Sequence, residues 1–484
     1  MQRTVSAARV AVLVGTLEPG RRGGRPAYAV LADRLTELVG DGRVGLDVRL
    51  PSERELTEAL GVSRTTVTRA YAVLRETGYA VARQGAGTFT RVPGGRRRAH
   101  DRALLPRPGD GDAIDLNCAA SSAPPGVAAA FAEAAAELPA HLGGHGYFPA
   151  GLPRLQEAIA ATYEARGLPT DPGQVMVTPG ALTAAAIVAQ AHTGPGDRVL
   201  VESPVYPNAT QAIRHSGARL AGVPVDPAGW DLDAVDRALR EVRPVLSYLI
   251  PDFQNPTGLL MSDDERAAYA RRLRRSGTVA VVDESHQALA LDGQVMPRPF
   301  AAFDDRTISL GSASKAFWGG LRLGWIRAPR GGMERLTRAR LGLDLGAPVM
   351  EQLVLTRLLH DADDVVGRHR ERLAVQRDAL LTALAERLPE WRVRRPGGGL
   401  AAWCELPSHG SGTAVAEEAE RRGLIVAPGP AFAVEGGLDR YLRVPWTHPA
   451  DELELAVTRL AEAWDAVGHR TPTTPRPPRR VMVA

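Results

Sequence analysis

The chain has 484 residues, 24% of them charged and 44% hydrophobic, with a formal net charge of +4. It is too long for one ordinary core and has the balance of a globular protein of roughly two to four domains. Its two cysteines, Cys118 and Cys404, form no CxxC pair, which excludes a disulfide framework and a zinc site and points to a reducing, cytoplasmic compartment. No apolar run approaches the roughly 18 residues of a membrane span. The run Val10–Leu17 is short and lacks a small-residue cleavage site, so it does not read as a signal peptide.

The first predicted helix runs from Tyr28 to Val39, where Tyr28, Leu31, Leu35 and Leu38 recur at helical spacing before the stop signal Gly40–Gly42. LPSERELTEALGVSRTTVTRAYAVLRETGYAVARQGAGTF follows, from Leu50 to Phe89. Ser52 and Glu55 have capping-box spacing, and Leu56 and Leu60 face inward. Gly61 ends that helix and Ser63 caps the next, which turns Val67, Ala70, Tyr71 and Leu74 inward and exposes Arg64, Thr65, Thr66, Thr68 and Arg69. Two helices joined by a tight glycine turn make a helix-turn-helix. A hairpin of Tyr79–Arg83 and Thr88–Arg91 turns on Gln84–Gly87 and forms a wing. From Arg25 to Pro93 there are ten Arg against eight Asp plus Glu. Charge alone therefore leaves a small interaction domain with solvated arginines open.

Residues 93–113 are rich in Pro, Gly and charge and read as a flexible linker, in which Arg96, Arg97 and Arg98 form a solvated run. From 114 to 467 the pattern is strand, loop, helix, repeated. Candidate strands are Val175–Thr178, Arg198–Glu202, Val245–Ile250, Thr278–Asp283 and Thr307–Gly311, as a mostly parallel α/β sheet requires. Ligands of such sheets bind at the carboxyl ends of the strands. Gly180–Ala181, Tyr206, Asn255 and Lys315 fall just past those ends, and Asp283 ends its strand. Residues 468–484 read as a disordered tail.

Lys315 is the only lysine among 59 Lys plus Arg. Arginine can pair with anions but cannot serve as an amine nucleophile; lysine can, once its pKa is lowered. Ser312, Ser314 and Arg322 around it could grip a phosphate. Taken singly, Asp283 could be a strand-end cap, Asn255–Pro256 a turn and Arg443 a surface arginine.

Two resemblances sharpen this reading. The stretch LPSERELTEALGVSRTTV closely resembles the DNA-binding domain of the GntR family of bacterial regulators. It implies Arg54, Arg64, Thr65 and Thr66 at double-stranded operator DNA, with Gly85 on the wing, in a domain spanning 25–92. Residues 114–467 resemble the fold-type I, aminotransferase-like enzymes that bind pyridoxal 5′-phosphate (PLP). That resemblance implies a Schiff base on Lys315, with Asp283 pairing the pyridine nitrogen and so strengthening the ring as an electron sink. It places Asn255 at the ring hydroxyl and Tyr206 stacked on the ring, with Gly180, Ala181, Ser312, Ser314 and Arg322 on the phosphate. Tyr147 would reach in from a second subunit, and Arg443 would clamp an α-carboxylate, a bidentate task suited to guanidinium. His286 stands where the family commonly has a tyrosine that bonds the ring hydroxyl. Its imidazole could donate the same bond, with pH sensitivity near 6.5. Leu182 stands where a polar residue is frequent.

A winged helix fused to such a domain resembles the MocR subfamily of GntR regulators. It implies a bacterial, head-to-tail homodimeric transcription factor, on the nucleoid when DNA-bound, that senses an amine, an amino acid or PLP itself. Two other readings stay open: a working aminotransferase that also binds DNA, and a plain DNA-binding dimer built on a degenerate scaffold.

Overall fold

In the computed structural model, residues 4–17, 25–40, 44, 48–83, 85–91, 113–226, 229–434 and 436–468 are described. All but one residue of the expected linker, and of the expected tail, lie outside them, as does Gln84 of the wing. The chain divides into two compact units, residues 1–106 with 123–133, and residues 107–122 with 134–484.

The first unit is helical with a two-stranded wing. Helix α1 (Ala7–Val14) is capped by Ser6, and helix α2 (Ala27–Gly40) follows. In α3 (Glu53–Leu60) the expected capping box is present: Ser52 and Glu55 each take up the other's backbone N–H. Gly61 closes α3 in the left-handed region at φ 64°, where a side chain would be strained. Helix α4 (Arg64–Glu76) starts from the Ser63 cap and buries Val67, Ala70, Tyr71 and Leu74. Strands β1 (Ala80–Arg83) and β2 (Gly87–Thr90) pair antiparallel, Ala80 opposite Thr90. The apolar N-terminal run has a structural role: Val10 and Val14 join Leu31, Leu35, Leu56 and Leu74 in one core. Arg34 Nη1 ties the end of α1 down by donating to the carbonyls of Val14 and Thr16.

The second unit opens with β3 (Ile114–Asp115) and then builds an eight-stranded sheet. Its strands are β4 (Val175–Thr178), β5 (Arg198–Ser203), β6 (Arg219–Asp226), β7 (Gly229–Trp230), β8 (Leu246–Leu249), β9 (Val279–Asp283), β10 (Ile308–Ser312) and β11 (Gly324–Arg327), in the order β4-β11-β10-β9-β8-β5-β6-β7. Strands β10, β9, β8, β5 and β6 run parallel. Strand β11 is antiparallel to both β10 and β4, so β4 points the same way as the parallel set. The carboxyl ends of β4, β5, β8, β9 and β10 therefore emerge along one edge.

Both faces of this sheet are buried. Val199, Val201 and Tyr248 join one core while Leu200, Leu249, Ala280 and Val282 join the other, which is why these strands read as continuous apolar runs. A smaller layer completes the unit: β12 (Arg392–Val393), β13 (Ala401–Glu405), β14 (Leu424–Ile425), β15 (Ala427–Pro428) and β16 (Tyr441–Pro445). Four of these form a sheet in the order β12-β13-β16-β15, and β14 pairs in parallel with β3. The sequence pattern gave no warning of this layer, whose strands are mostly two to five residues long.

Candidate cofactor site and nucleic-acid interface

Several of the expected cofactor residues stand at or just past the end of a strand. Asp283 ends β9 at 8% exposure; its Oδ2 accepts from the Tyr248 hydroxyl at 2.7 Å and its Oδ1 from the Ser285 amide at 2.9 Å. Tyr248 sits on neighbouring β8, so the sheet register sets this pair. Past β4, Gly180 takes φ 93° and caps the helix Ala181–His192 with no side-chain cap. A methyl group on Gly180 would lie 3.2 Å from Arg322 Nη2, so that guanidinium stands against the turn. The arrangement joins an uncapped helix N-terminus to a cation, a combination that binds phosphate. Past β10, the Ser312 hydroxyl accepts from the Ser314 amide at 3.1 Å, bending the chain toward Lys315.

Lys315 Nζ donates to the Ala119 carbonyl at 2.9 Å. Burial lowers its pKa, and the charges of Arg443 and Arg322 add to this while Cys118 and Asp283 oppose it. That shift favours the neutral amine, the form able to attack an aldehyde. His369 holds the Lys315 backbone. Arg372 can only donate, so at 2.9 Å it fixes His369 Nδ1 as acceptor, leaving Nε2–H to donate to the Lys315 carbonyl at 3.2 Å.

Arg443 is fully buried on β16. It donates to the Asn117 carbonyl and, at 3.4 Å, to Asn255 Oδ1, and its guanidinium lies 5.1 Å from the Phe432 ring centroid. Its Nε has no partner, and burial pushes its pKa down to about 10. Tyr206 caps the next helix, its hydroxyl accepting from Asn208 Nδ2 at 2.9 Å, and burial raises its pKa. Asn117, Cys118 and Ala119 thus bring Lys315 and Arg443 together across 196 and 326 residues of chain.

His286 corrects an expectation. Its Nδ1 lies 3.0 Å from the Phe253 carbonyl, which only accepts, so Nδ1 carries the proton and the neutral ring's Nε2 is an acceptor. Burial and the Lys315 charge push its pKa down to about 4, so the expected titration near 6.5 is displaced. At neutral pH the ring has no second N–H to give a ring hydroxyl. Leu182 lies in the first turn of the helix after Gly180, 37% exposed. Tyr147 is 58% exposed and stacks on His145 at 5.7 Å, so within one chain it stands outside the cluster.

The sequence reading missed Tyr248, His369, Glu202 and Gln254. Tyr248 and Glu202 were hidden inside strands and the other two inside helix and turn patterns, where polar residues carry no periodic signal. Burial pushes the Glu202 carboxyl up to about 7 against the hydrogen bonds from Trp230, Gln254 and Ile250.

In the helix-turn-helix, Arg54 and Arg64 are exposed, with loose contacts to Glu58 at 3.2 Å and Glu53 at 3.8 Å. Thr65 is exposed, and Thr66 is half-buried with its hydroxyl 2.8 Å from the Ser63 hydroxyl. Thr68 differs from expectation: it is half-buried and donates to Glu53 at 2.7 Å, so it joins α3 to α4 instead of facing outward. Arg69 lies 5.4 Å from the Tyr28 ring centroid, and Gly85 is exposed at the wing turn with φ 73°.

Residues 116–460 match the family described as aminotransferase class I and II, and the chain belongs to that family; residues 27–90 match the bacterial regulatory proteins of the gntR family. This two-part make-up is that of the MocR-type transcriptional regulators. The chain is 28% identical over 444 residues to the Escherichia coli K12 HTH-type transcriptional regulator YdcR, covering 86% of this chain and 94% of that protein. It is 30% identical over 329 residues to the probable rhizopine catabolism regulatory protein MocR of Rhizobium meliloti, 63% of this chain and 66% of that one. The solved structure of the α-aminoadipate aminotransferase LysN from Thermus thermophilus, complexed with N-(5′-phosphopyridoxyl)-L-leucine, superposes with a TM-score of 0.67 at 30% identity. That match covers 74% of this chain and 93% of that chain.

The LysN structure holds a phosphopyridoxyl amino acid in this fold. The residues present fit PLP: an uncapped helix N-terminus at Gly180 with Arg322 against it, a buried carboxylate at Asp283, an amine at Lys315 and an unpartnered buried Nε on Arg443. Among the described residues no helix is long and apolar enough to cross a membrane.

Proposed function

We propose that the large unit is a sensor whose state changes how the gntR-type unit engages its operator, and that the signal is an amine, an amino acid or PLP itself. PLP supplies an aldehyde that condenses reversibly with an amine, either that of Lys315 or that of an effector. The chain's own residues do the rest. Asp283 holds a proton on the pyridine nitrogen, Asn255 and Tyr206 orient the ring, and Gly180, Ala181, Ser312, Ser314 and Arg322 hold the phosphate. Arg443 receives the effector's carboxylate. Its fully buried guanidinium, with Nε unpartnered, is the observation that carries this reading, because a buried N–H without an acceptor is costly until a ligand supplies one.

Operator contact falls to Arg54, Arg64, Thr65, Thr66 and the wing at Gly85, in a domain of residues 25–92 joined by the linker 93–113 to the sensor 114–467, with 468–484 as a tail. The regulator acts in the cytoplasm, on the nucleoid when DNA-bound. It works as a head-to-tail homodimer in which Tyr147 reaches the second subunit's pocket. Supporting the dimer, Leu142, Tyr147, Leu341, Leu343 and Leu345 are 70, 58, 54, 51 and 46% exposed. Their loops adjoin where Gly346 backs onto Phe148 (an added methyl would lie 2.7 Å from the Phe148 carbonyl). Apolar surface of this kind is covered in stable proteins.

The test is the visible absorption of the protein with PLP before and after a panel of amino acids, with Lys315→Ala as control, alongside operator binding by fluorescence anisotropy. A lysine-dependent band that one amino acid shifts, together with altered operator affinity, supports the sensor. Sustained keto-acid production without any change in operator binding favours instead an aminotransferase with a fused DNA-binding domain. The buried Arg443 and the Asp283 carboxylate keep that second reading in view.

A further inference from the structure

Two loops that bear on the cofactor, one leading from β5 to Tyr206 and the other carrying Asn255, are joined by a pair of side chains that neither loop's own function requires. Glu202, next to last in β5, is 1% exposed. Its Oε1 accepts from Trp230 Nε1 at 2.7 Å, and its Oε2 accepts from the Ile250 amide at 3.1 Å and from Gln254 Nε2 at 3.2 Å. Gln254, also 1% exposed, uses its whole carboxamide. Nε2 donates both to Glu202 and to the Pro204 carbonyl at 2.7 Å, two residues before Tyr206. Oε1 accepts from the Thr257 amide at 3.0 Å and the Thr257 hydroxyl at 2.7 Å, two residues past Asn255. The Gln254 backbone closes the same turn, donating to the Leu259 carbonyl at 2.8 Å and accepting from the Gly258 amide at 2.6 Å.

We infer that Glu202 and Gln254 form a positioning clamp that sets Tyr206 and Asn255 relative to each other and thereby the affinity of the site for PLP. The inference rests on the reading of Tyr206 and Asn255 as the residues that orient the ring. The side-chain hydrogen bonds of both residues go to protein partners, so each would act through the loops it joins. A fully satisfied buried network is suited to this, because each polar atom has one arrangement in which all partners are met. The clamp reads both loops at once: the amide N–H atoms face the β5 loop and the strand carboxylate, and the amide oxygen faces the Asn255 turn.

The experiment is a mutant cycle on PLP affinity in the full-length protein, read from the absorption band that PLP produces. Gln254→Ala is compared in two backgrounds, wild type and Asn255→Ala with Tyr206→Ala. A residue that acts only through Asn255 and Tyr206 loses its effect once they are gone, whereas a merely structural residue weakens binding equally in both. In the wild-type background Gln254→Ala is expected to weaken PLP by about tenfold, and in the second background by less than about twofold. Equal losses in the two backgrounds, or no loss in the first, overturn the clamp. Should Gln254→Ala fail to fold, Glu202→Gln takes its place. It keeps the volume but sets an amide N–H₂ against donors, and the same non-additivity is expected. Wild-type protein that gives no Lys315-dependent band would overturn the cofactor reading itself, a failure distinct from additive losses.

Discussion

The two units use arginine in opposite ways. On the helix-turn-helix, Arg54 and Arg64 have side chains 85% and 76% exposed, with one loose carboxylate contact each. In the cofactor unit Arg266, Arg340, Arg377 and Arg443 are among the largest fully buried side chains. Arg266 donates to Asp252 at 2.6 Å, to the Met261 carbonyl at 2.9 Å and to the Arg298 carbonyl at 2.9 Å. Arg377 likewise joins Asp292, Asp378 and the Pro396 carbonyl. A guanidinium stays charged in either setting. In water it is held weakly and remains available to a phosphate backbone. Buried, it is committed to several acceptors and staples distant loops. Arg340 Nη2 and Arg443 Nε are each left without a partner, and that of Arg443 belongs to the guanidinium that contacts Asn255.

The largest effect expected from this contrast is on folding. Arg266→Ala leaves Asp252 charged and buried and should lower stability by about 3–5 kcal/mol in urea denaturation. Because Arg266 also braces the Asn255 loop, PLP affinity should fall with it. A loss below about 1 kcal/mol would mean that these buried arginines are replaceable packing.

Acid should come next. Burial pushes His192, His286 and His369 each down to about 4. An unfolded histidine takes its proton near 6.5, so between about 6.5 and about 4 these three sites bind more protons in the unfolded chain, opposed by the one proton that Glu202, pushed up to about 7, binds in the folded chain. Stability is therefore complete above about pH 6.5 and declines as the pH falls toward about 4. Denaturation midpoints across that window should show the decline, and His369→Asn should flatten it.

Exposed arginines should behave in the opposite sense. Arg64→Ala is expected to change stability by less than about 0.5 kcal/mol, yet to weaken operator binding and reduce its log–log salt slope by about 1. A stability loss like that of Arg266→Ala would erase the contrast. Ser63→Ala at the start of α4 should cost about 1 kcal/mol, with a matching loss of operator affinity because the Thr66 amide and hydroxyl rest on that cap.

The elements legible in the sequence were those whose signal is local. The capping box at Ser52 and Glu55, the αL glycine at 61 and the Ser63 cap lie within a few residues of what they shape. The five core strands fall within a residue of their expected limits because strands buried on both faces are runs of apolar side chains. The small layer escaped notice because its strands are short and its partners lie far off in the chain. Thr68 looked like an outward residue on a recognition helix until Glu53 of the preceding helix was placed beside it. His286 looked like a switch near pH 6.5 until burial and Lys315 were counted.

By itself, the sequence determined that one amine stands among arginines, that a helix-turn-helix precedes a strand–helix alternation, and that polar residues gather after strand ends. These are matters of residue type and short spacing, which chemistry reads directly. The tertiary structure alone decided that Asn117 and Ala119 face Arg443 and Lys315, that Tyr248 meets Asp283, and that Glu202 and Gln254 lock two loops together. Such contacts depend on sheet register and on which loops share an edge, and the free energy that selects them is spread over the whole core.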